Sequence, residues 1–263
     1  MVNLKVGKRF GQHFLVDKNV IRKIIDVIGP GEETILEIGA GKGALTIPLS
    51  GLCKRLIAVE RDKKFADFLR RKNLRNVEIV ESDILTIDLR GLVRDEIVVV
   101  GNLPYYISKK IIGWFLKEKE LIKRGVFMLQ KEVAERLCSK PGSKSYSSLS
   151  IHTQIFFETK IHFNVGSRSF SPPPQVSSSL VELKKRDEPL VKIDNESEFI
   201  DFLKNSFAKR RKTLLNNLIL MGFEKNKIFK IFESLSIEPN KRPEEIGIEN
   251  FYNLWISLRD FRI

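Results

Sequence analysis

The sequence contains few of the residues that form disulfides and metal sites. It has only two cysteines, Cys53 and Cys138, which lie far apart, and three histidines, His13, His152 and His162, which are scattered with no ligand spacing between them. This spacing matches neither a disulfide framework nor a set of metal ligands. We therefore expect no stabilising disulfide and no bound metal.

Long apolar segments are also missing. No stretch approaches the roughly 20 apolar residues that span a bilayer. The basic start MVNLKVGKRF is not followed by the uninterrupted apolar core of a signal peptide. We expect a cytoplasmic protein that has no membrane partner and acts as a monomer.

Acidic residues are scarce relative to basic ones. The chain has 46 Lys and Arg against 33 Asp and Glu, a net charge of +13. Residues 187–263 hold 13 basic and 13 acidic side chains, so the whole excess lies in residues 1–186. Such an excess is typical of proteins that bind nucleic acid, although a lysine-rich surface also serves solubility.

Helix-like and strand-like segments alternate between residues 17 and 137. The strand-like segments are TILEIG, RLIAVE, VEIVESD, IVVVGN and GVFMLQ. Helix-like segments such as NVIRKIIDVI and KKFADFLRRK separate them. This order predicts an α/β fold with a mostly parallel sheet and helices on both faces. Two later strand-like runs, IHTQIFFETKIHFNV and QVSSSLVELKK, are expected to add an antiparallel edge and bring the sheet to seven strands.

A polar segment, KKRDEPLVKIDNESE, is the predicted domain boundary. Beyond it, apolar residues recur at helical spacing to the end of the chain. We therefore predict one domain over residues 1–186 and a small all-α domain over residues 187–263.

A glycine-rich turn follows the first long strand. The segment LEIGAGKGAL places Gly39, Gly41 and Gly43 where the strand passes into a helix. Glycines let the backbone turn sharply and approach a ligand, and the helix start offers free N–H groups. Glu60 ends the next strand, about 20 residues after the glycine turn, where an acid can bind the hydroxyls of a ribose. This pattern fits NAD as well as it fits another cofactor that contains a nucleoside.

Polar side chains also end the third and fourth strands. Asp83 follows the third strand and Asn102 the fourth. Ligands of such sheets bind at the carboxyl ends of the strands. We expect Glu60 to hold a ribose and Asp83 an adenine edge, although Asp83 also suits the N-cap of a turn.

The tetrapeptide after the fourth strand is suited to a flat base that carries an amino group. Asn102 offers a side-chain carbonyl, Leu103 a backbone carbonyl that stays unpaired before Pro104, and Tyr105 an aromatic ring. The lone pair of the exocyclic amine of adenine is delocalised into its ring, and two acceptors would favour a pyramidal, nucleophilic nitrogen. The electrophile would be the methyl group of S-adenosyl-L-methionine, which the enzyme positions for attack. Tyr105 would stack on a base that has left its own stack.

Several motifs resemble a known family. ILEIGAGKGALT, AVERD, SDIL and GNLPYYIS resemble, in this order, the class I S-adenosylmethionine-dependent methyltransferases that act on adenine amines. GKRFGQHFLVD, KPGSKSYSSLS, SFSPPPQVSSSLVEL and FAKRRKTLLNNL are similar to segments of the small-subunit ribosomal RNA adenine dimethyltransferases, the KsgA-type enzymes. The resemblance covers nearly the whole chain. It implies a Rossmann-like methyltransferase domain followed by a small helical domain.

The resemblance also implies a reaction. In that family, methyl groups pass from S-adenosyl-L-methionine to the 6-amino groups of two adjacent adenosines, in a hairpin loop near the 3′ end of 16S rRNA. The substrate is an assembling small ribosomal subunit, and the products are dimethyladenosines.

The implied site residues follow from the matching motifs. The cofactor-binding residues would be Gln12, His13, Leu15, Gly39, Gly41, Glu60, Asp83, Ile84 and Asn102. The catalytic set would be Asn102, Leu103, Pro104 and Tyr105, with Phe170 sandwiching the base against Tyr105. Many relatives carry Asn at the position of His13, and Phe170 also fits a core aromatic before a proline turn. The RNA-binding residues would be Lys5, Lys8, Arg9, Lys209, Arg210, Arg211 and Lys212, although such a charged run also suits a solvated helix face.

Four alternatives remain open on the residues alone. A large-subunit (23S) rRNA adenine methyltransferase of the antibiotic-resistance type shares the pocket chemistry, and assays of both ribosomal subunits separate the two. A ribosome-assembly factor that binds RNA with little turnover is the alternative outside enzymology, which the intact GNLPY segment disfavours. A nicotinamide dehydrogenase rests on the glycine turn alone, and a titration with NAD tests it. A DNA adenine methyltransferase lacks a recognisable DNA-binding domain here.

Overall fold

The computed structural model describes residues 13–259, whose backbone contacts divide into two units. Within that range the first unit holds residues 13–134 and 158–185, and the second holds residues 135–157 and 186–259. The predicted boundary after residue 186 lies beside one of these divisions. Residues 135–157, however, group with the helical unit, because Tyr146, Ile151 and Ile155 belong to its core.

Strands and helices alternate through the first unit, and helices make up most of the second. In the described part of the chain the strands are β1 Phe14–Leu15, β2 Glu32–Ile38, β3 Cys53–Glu60, β4 Val77–Glu81, β5 Ile97–Asn102, β6 Ile122–Gln130, β7 Phe157–Val165, β8 Phe170–Ser171 and β9 Ser178–Lys185. The α-helices there are α1 Lys18–Ile28, α2 Thr46–Leu49, α3 Lys63–Arg70, α4 Ser108–Lys117, α5 Lys131–Cys138, α6 Ser148–Phe156, α7 Glu196–Ser206, α8 Leu214–Leu220, α9 Lys225–Ser234 and α10 Ile248–Arg259.

Seven strands form one sheet in the order β4-β3-β2-β5-β6-β9-β7. The strands from β4 to β6 are paired in parallel, and β9 runs antiparallel to β6. The predicted α/β fold with a mostly parallel seven-stranded sheet is confirmed. Because parallel strands end at the same edge, the residues after β2, β3, β4 and β5 are brought together there.

The central strand β5 shows why the site lies at this edge. Ile97, Val98, Val99 and Val100 are all buried, as expected of a strand covered on both faces. At Gly101 a Cβ atom would lie 2.6 Å from a side-chain carbon of Leu103. The backbone carbonyl oxygen of Ile38 on the neighbouring strand would lie 3.0 Å from that atom, so a larger residue at position 101 would force the end of the strand to shift.

One predicted strand begins as a helix. The run IHTQIFFETKIHFNV contains the end of α6 as well as β7. The backbone N–H of Ser147 donates to Ser150 Oγ at 3.0 Å at the start of α6, and Ile151 and Ile155 lie one turn apart in the core. The strand prediction was wrong for this part because β-branched residues masked the helical spacing.

The second unit has its own aromatic core. Phe199 packs against Trp255 with ring centroids 5.2 Å apart, and Phe207 stacks on Phe251 at 5.4 Å.

None of the helices described in residues 13–259 has the length and apolarity that crossing a membrane requires.

Candidate active site

A pocket lies at the edge where the parallel strands end. Its wall contains ten of the residues predicted from the sequence, namely His13, Gly39, Gly41, Glu60, Asp83, Ile84, Asn102, Leu103, Pro104 and Tyr105. Leu15 is buried in the apolar core, whereas the neighbouring Phe14 lines the pocket. Gln12 lies outside the described residues.

The glycine turn has backbone angles that other residues rarely adopt. Gly39, Gly41 and Gly43 have φ angles of +74°, +53° and +82°. Around Gly39 a Cβ atom would meet nothing within 4 Å, so this part of the turn faces open space. At Gly41 it would lie 3.0 Å from the ring of Phe14, which closes the turn on the other side.

Glu60 is tied to the glycine turn by both of its carboxylate oxygens. Oε2 accepts a hydrogen bond from the backbone N–H of Gly41 at 2.8 Å, and Oε1 accepts one from Asp62 at 2.8 Å. Burial raises the pKa of Glu60, and the two backbone bonds act in the opposite direction. Each oxygen keeps a second lone pair, so the carboxylate can still accept hydrogen bonds from ribose hydroxyls.

Asp83 has two roles in this geometry. Its Oδ1 accepts from the backbone N–H of Leu85 at 3.1 Å, which makes it the N-cap of the short turn Ile84–Thr86. Its Oδ2 lies 3.3 Å from the guanidinium of Arg61, and the side chain lines the pocket. Asp83 therefore caps the turn, which was one of the two roles that the sequence allowed, and its side chain also forms part of the pocket wall.

Asn102 is oriented by the backbone of the N-terminal segment. Its Nδ2 donates a hydrogen bond to the carbonyl oxygen of His13 at 2.9 Å. The side-chain carbonyl Oδ1 therefore remains as an acceptor for a ligand. His13 is itself held by a 2.7 Å hydrogen bond between its Nδ1 and the carbonyl oxygen of Pro172. A neutral or charged imidazole donates this bond, because a carbonyl oxygen can only accept.

Tyr105 has a fixed ring. Its hydroxyl is hydrogen-bonded to Ser178 Oγ at 2.5 Å, and its ring centroid lies 5.4 Å from that of His13. Burial raises the pKa of Tyr105, while the bond to Ser178 acts against the shift. The phenol therefore stays neutral at physiological pH and presents an uncharged ring.

We predict that Ser178→Ala lowers the kcat of the reaction at this pocket by about 2- to 10-fold, since one hydrogen bond contributes about 0.5–1.5 kcal/mol to holding the Tyr105 ring. Steady-state kinetics measures this. In a Tyr105→Phe background the same Ser178 substitution should have no further effect, because the bond is already lost. Additive effects of the two substitutions would contradict a role through Tyr105.

One aromatic residue differs from expectation, and a second had no role assigned from the sequence. The ring of Phe170 is only 3% exposed, in the apolar core where β8 pairs with β1, and it does not line the pocket. Its position is that of the core aromatic that the sequence also allowed. Tyr106, in contrast, lines the pocket and is 56% exposed.

A buried acid lies beneath the glycine turn. Glu37 is 2% exposed in β2, two residues before Gly39. Burial raises its pKa to about 7, and the nearby charge of Glu60 acts in the same direction. An acid between Leu36 and Ile38 in a buried strand is the sequence signal that marks this position.

We predict that Glu37→Gln removes a pH dependence of stability. The pKa of Glu37 is raised on folding, so its stabilising contribution is complete below the ordinary pKa of 4.5 and is lost as the pH rises towards 7. We expect the wild type to lose on the order of 3 kcal/mol more than the variant between pH 5 and pH 8. Urea unfolding at both pH values measures this difference, and equal losses would contradict it.

The predicted RNA-contacting residues fall into two groups. Lys5, Lys8 and Arg9 lie outside the described residues. The residues Lys209, Arg210, Arg211 and Lys212, here called the basic turn, are all exposed on a turn of the second unit. Buried Asn217 braces this turn, since its side chain bonds both the N–H and the carbonyl of Lys209. Arg210 also donates to the carbonyl oxygen of Lys144.

Metal ligands do not cluster in the part of the chain that the structure describes. Residues 13–259 contain no group of three or more His, Cys, Asp or Glu side chains placed to hold an ion.

Sequence reasoning missed Phe14, Tyr106 and Ser178. Ser178 lies 73 residues from Tyr105, and nothing in the sequence pairs the two. Phe14 and Leu15 are adjacent in a short strand, where successive side chains point to opposite sides. Hydrophobicity alone does not show which of the two faces the ligand.

Comparison with known proteins adds to this geometry. The family model described as ribosomal RNA adenine dimethylase matches residues 3–260. The ribosomal RNA small subunit methyltransferase A of Caldanaerobacter subterraneus subsp. tengcongensis is 39% identical over 259 residues, which cover 95% of this chain and 96% of that protein.

Solved structures show a similar fold. A dimethyladenosine transferase from Plasmodium falciparum is 27% identical, with a TM-score of 0.79, and the match covers 94% of this chain and 98% of the other. The 23S rRNA methyltransferase ErmE is 24% identical, with a TM-score of 0.74, over 94% of this chain and 99% of the other. At that identity the likeness to ErmE concerns the fold alone.

Proposed function

Because the chain belongs to the ribosomal RNA adenine dimethylase family, we propose that it is an S-adenosyl-L-methionine-dependent methyltransferase acting on adenosines of small-subunit rRNA. Its products would be dimethyladenosines at two adjacent positions in a hairpin loop near the 3′ end of 16S rRNA. The observation that carries the proposal is the oriented amide of Asn102, which shares one pocket with the glycine turn and Glu60.

The pocket fits the cofactor. Gly39 faces open space where backbone can approach the methionine part, and Glu60 has free lone pairs for the ribose hydroxyls. Asp83 and Ile84 line the pocket beside them, with a carboxylate for the adenine amino group and an apolar side chain for the ring face. When bound, S-adenosyl-L-methionine supplies an electrophilic methyl group.

The residues of the pocket would activate and place the target amine. The Oδ1 of Asn102 and the carbonyl of Leu103 accept hydrogen bonds from the 6-amino group, which favours a localised lone pair on its nitrogen. Tyr105, fixed by Ser178, stacks on the flipped base. Positioning and electrostatics then provide most of the catalysis.

Dimethylation places a further demand on this site. After the first transfer the amine has one hydrogen and one methyl group. Of the two acceptors, one can lose its hydrogen bond while the other keeps it, so the same pair of groups serves both transfers.

The substrate is proposed to be an assembling small ribosomal subunit, and the site of action the cytoplasm, where such subunits form. We also propose that the protein acts as a monomer, which light scattering on the purified protein tests.

Mapping of the methylated nucleotides tests the proposed function. Unmethylated small subunits and, in parallel, large subunits are incubated with the protein and labelled S-adenosyl-L-methionine. We expect label in two adjacent adenosines of small-subunit rRNA. Label in large-subunit rRNA alone would favour the antibiotic-resistance type of enzyme, and tight binding without label would favour an assembly factor.

The basic turn is proposed to contact the rRNA backbone. We predict that replacing Lys209, Arg210, Arg211 and Lys212 together by alanine weakens binding to small subunits and flattens its salt dependence, since phosphate contacts release counterions. Binding measured between 50 and roughly 200 mM salt tests this. A matched control replaces Lys204 on α7 together with Lys225, Lys227 and Lys230 on α9, which also removes four charges from the same unit. If both variants bind alike, the basic turn is merely solvated.

A further inference from the structure

The pocket carries an exposed aromatic ring that the proposed mechanism does not use. Tyr106 follows Tyr105 directly, lines the same pocket and leaves 56% of its surface exposed. Burying an exposed aromatic ring against a ligand is favourable, because its faces are apolar and polarizable. A ring left this open beside a binding pocket is therefore available to a ligand.

The exposure of Tyr106 separates it from its neighbour. The ring of Tyr105 is half-buried, and its hydroxyl is held by Ser178. Tyr106, in contrast, leaves 56% of its surface exposed, so its ring presents a large accessible face to a flat group that arrives from solvent. A ring that served the cofactor inside the pocket would be more deeply enclosed.

Two lysines follow Tyr106 closely in the chain. Lys109 and Lys110 are exposed in the first turn of α4, three and four residues further along the chain. An aromatic ring flanked by cationic side chains is the usual surface for a single-stranded nucleic acid, since the ring stacks on a base and the cations attract the phosphates.

We propose that Tyr106 is a second stacking surface, on which the base next to the target adenosine lies. This inference rests on the function proposed above and deepens it. Tyr105 holds the adenine that reacts, and Tyr106 holds its neighbour. Phe170, which the resemblance implied would sandwich the target base against Tyr105, is 3% exposed and lies in the core.

Kinetics with unmethylated small subunits test this. Stacking on an aromatic ring predicts that Tyr106→Ala lowers kcat/KM for subunits by about 5- to 150-fold, mainly through KM. Tyr106→Phe should retain wild-type kcat/KM within about threefold, because the ring is kept. The Kd for S-adenosyl-L-methionine should be unchanged in both variants. Phe229→Ala is the matched control, since it removes a 37% exposed ring with a lysine over it from the other unit.

A substitution in the RNA identifies the base involved. Subunits in which one of the two adjacent adenosines is replaced by uridine offer a smaller stacking surface beside the remaining target, and methylation is measured at that remaining adenosine. This change should slow the wild type and have a clearly smaller effect on Tyr106→Ala, which is the coupling expected of two groups in contact.

Several outcomes would overturn the inference. One is an unchanged kcat/KM for Tyr106→Ala, and another is a cofactor Kd that rises by the same factor as kcat/KM falls. The others are equal losses of kcat/KM in Tyr106→Phe and Tyr106→Ala, or an effect of the uridine substitution that is the same in the wild type and in Tyr106→Ala. If the wild type itself leaves small subunits unmethylated, the proposed function fails and this inference fails with it. Activity of the wild type together with any of the other outcomes leaves the proposed function standing.

Discussion

Replacing Asn102 by alanine is expected to lower kcat for methyl transfer by about 10²- to 10³-fold while the Kd for S-adenosyl-L-methionine changes by less than about threefold. The variant loses the acceptor Oδ1 of the side-chain amide. In the wild type, Nδ2 donates a hydrogen bond to the carbonyl oxygen of His13, so Oδ1 points the other way and can accept from the substrate. The effect falls on kcat because the acceptor matters most when the amine develops charge. A tritiated-methyl assay and a calorimetric titration measure the two quantities.

A second substitution at the same position isolates the orientation of the amide. Asn102→Asp keeps an acceptor but cannot donate to the carbonyl of His13, so kcat should fall although an oxygen remains. Asn164→Ala is the control, since Asn164 is hydrogen-bonded to Ser179 and does not line the pocket. A wild-type rate for Asn102→Ala would rule out the proposed mechanism.

Replacing Glu60 by glutamine is expected to raise the Kd for S-adenosyl-L-methionine by about 10- to 100-fold and to leave kcat at saturating cofactor nearly unchanged. The carboxylate accepts from the backbone N–H groups of Gly41 and Asp62 at once. The side chain of glutamine has one oxygen and one NH2 group, so it can accept from only one of these two N–H groups. Its NH2 group then faces the other N–H, and the glycine turn loses part of its support. The charge that favours ribose hydroxyls is lost as well.

Calorimetry and saturation kinetics separate the two parts of this prediction. The matched control is Glu81→Gln, which removes a carboxylate from the end of the neighbouring strand β4, where Glu81 pairs with Arg70 outside the pocket. An unchanged cofactor Kd for Glu60→Gln would show that Glu60 serves the turn and not the ligand. A fall in kcat with an unchanged cofactor Kd would mean that Glu60 acts in the chemical step, which is the role assigned here to Asn102, and not in cofactor binding.

Much of the fold was predictable because it depends on local patterns. The valines before Gly101 indicated a strand covered on both faces, and β5 lies in the middle of the sheet. The alternation of strands with helices predicted parallel pairing, which brings the strand ends together. The prediction failed at α6, where Ile151 and Ile155 pack into the core of the second unit. Tertiary packing outweighed the β preference of these residues.

The site residues divide in the same way. Gly39, Glu60 and Asn102 were recognisable because each lies just after or at the end of a strand, and a parallel sheet collects such positions in one place. Phe170 and Tyr106 were not distinguishable, because an aromatic residue in a loop fits either the core or a ligand surface. Only the packing of β8 against β1 decided that Phe170 is buried.

The sequence by itself determined the order of the strands along the chain, the glycine turn, the polar residues at the strand ends and the acceptor groups of the segment after β5. These depend on the neighbours of each residue in the chain, which the sequence contains. Tertiary structure alone decided that the carbonyl of His13 orients Asn102, that Ser178 holds Tyr105, and that Tyr106 stays exposed. These contacts join residues as many as 89 positions apart, and no local rule specifies which of many compatible partners will meet. They arise only when the whole sheet has brought its strand ends to one edge.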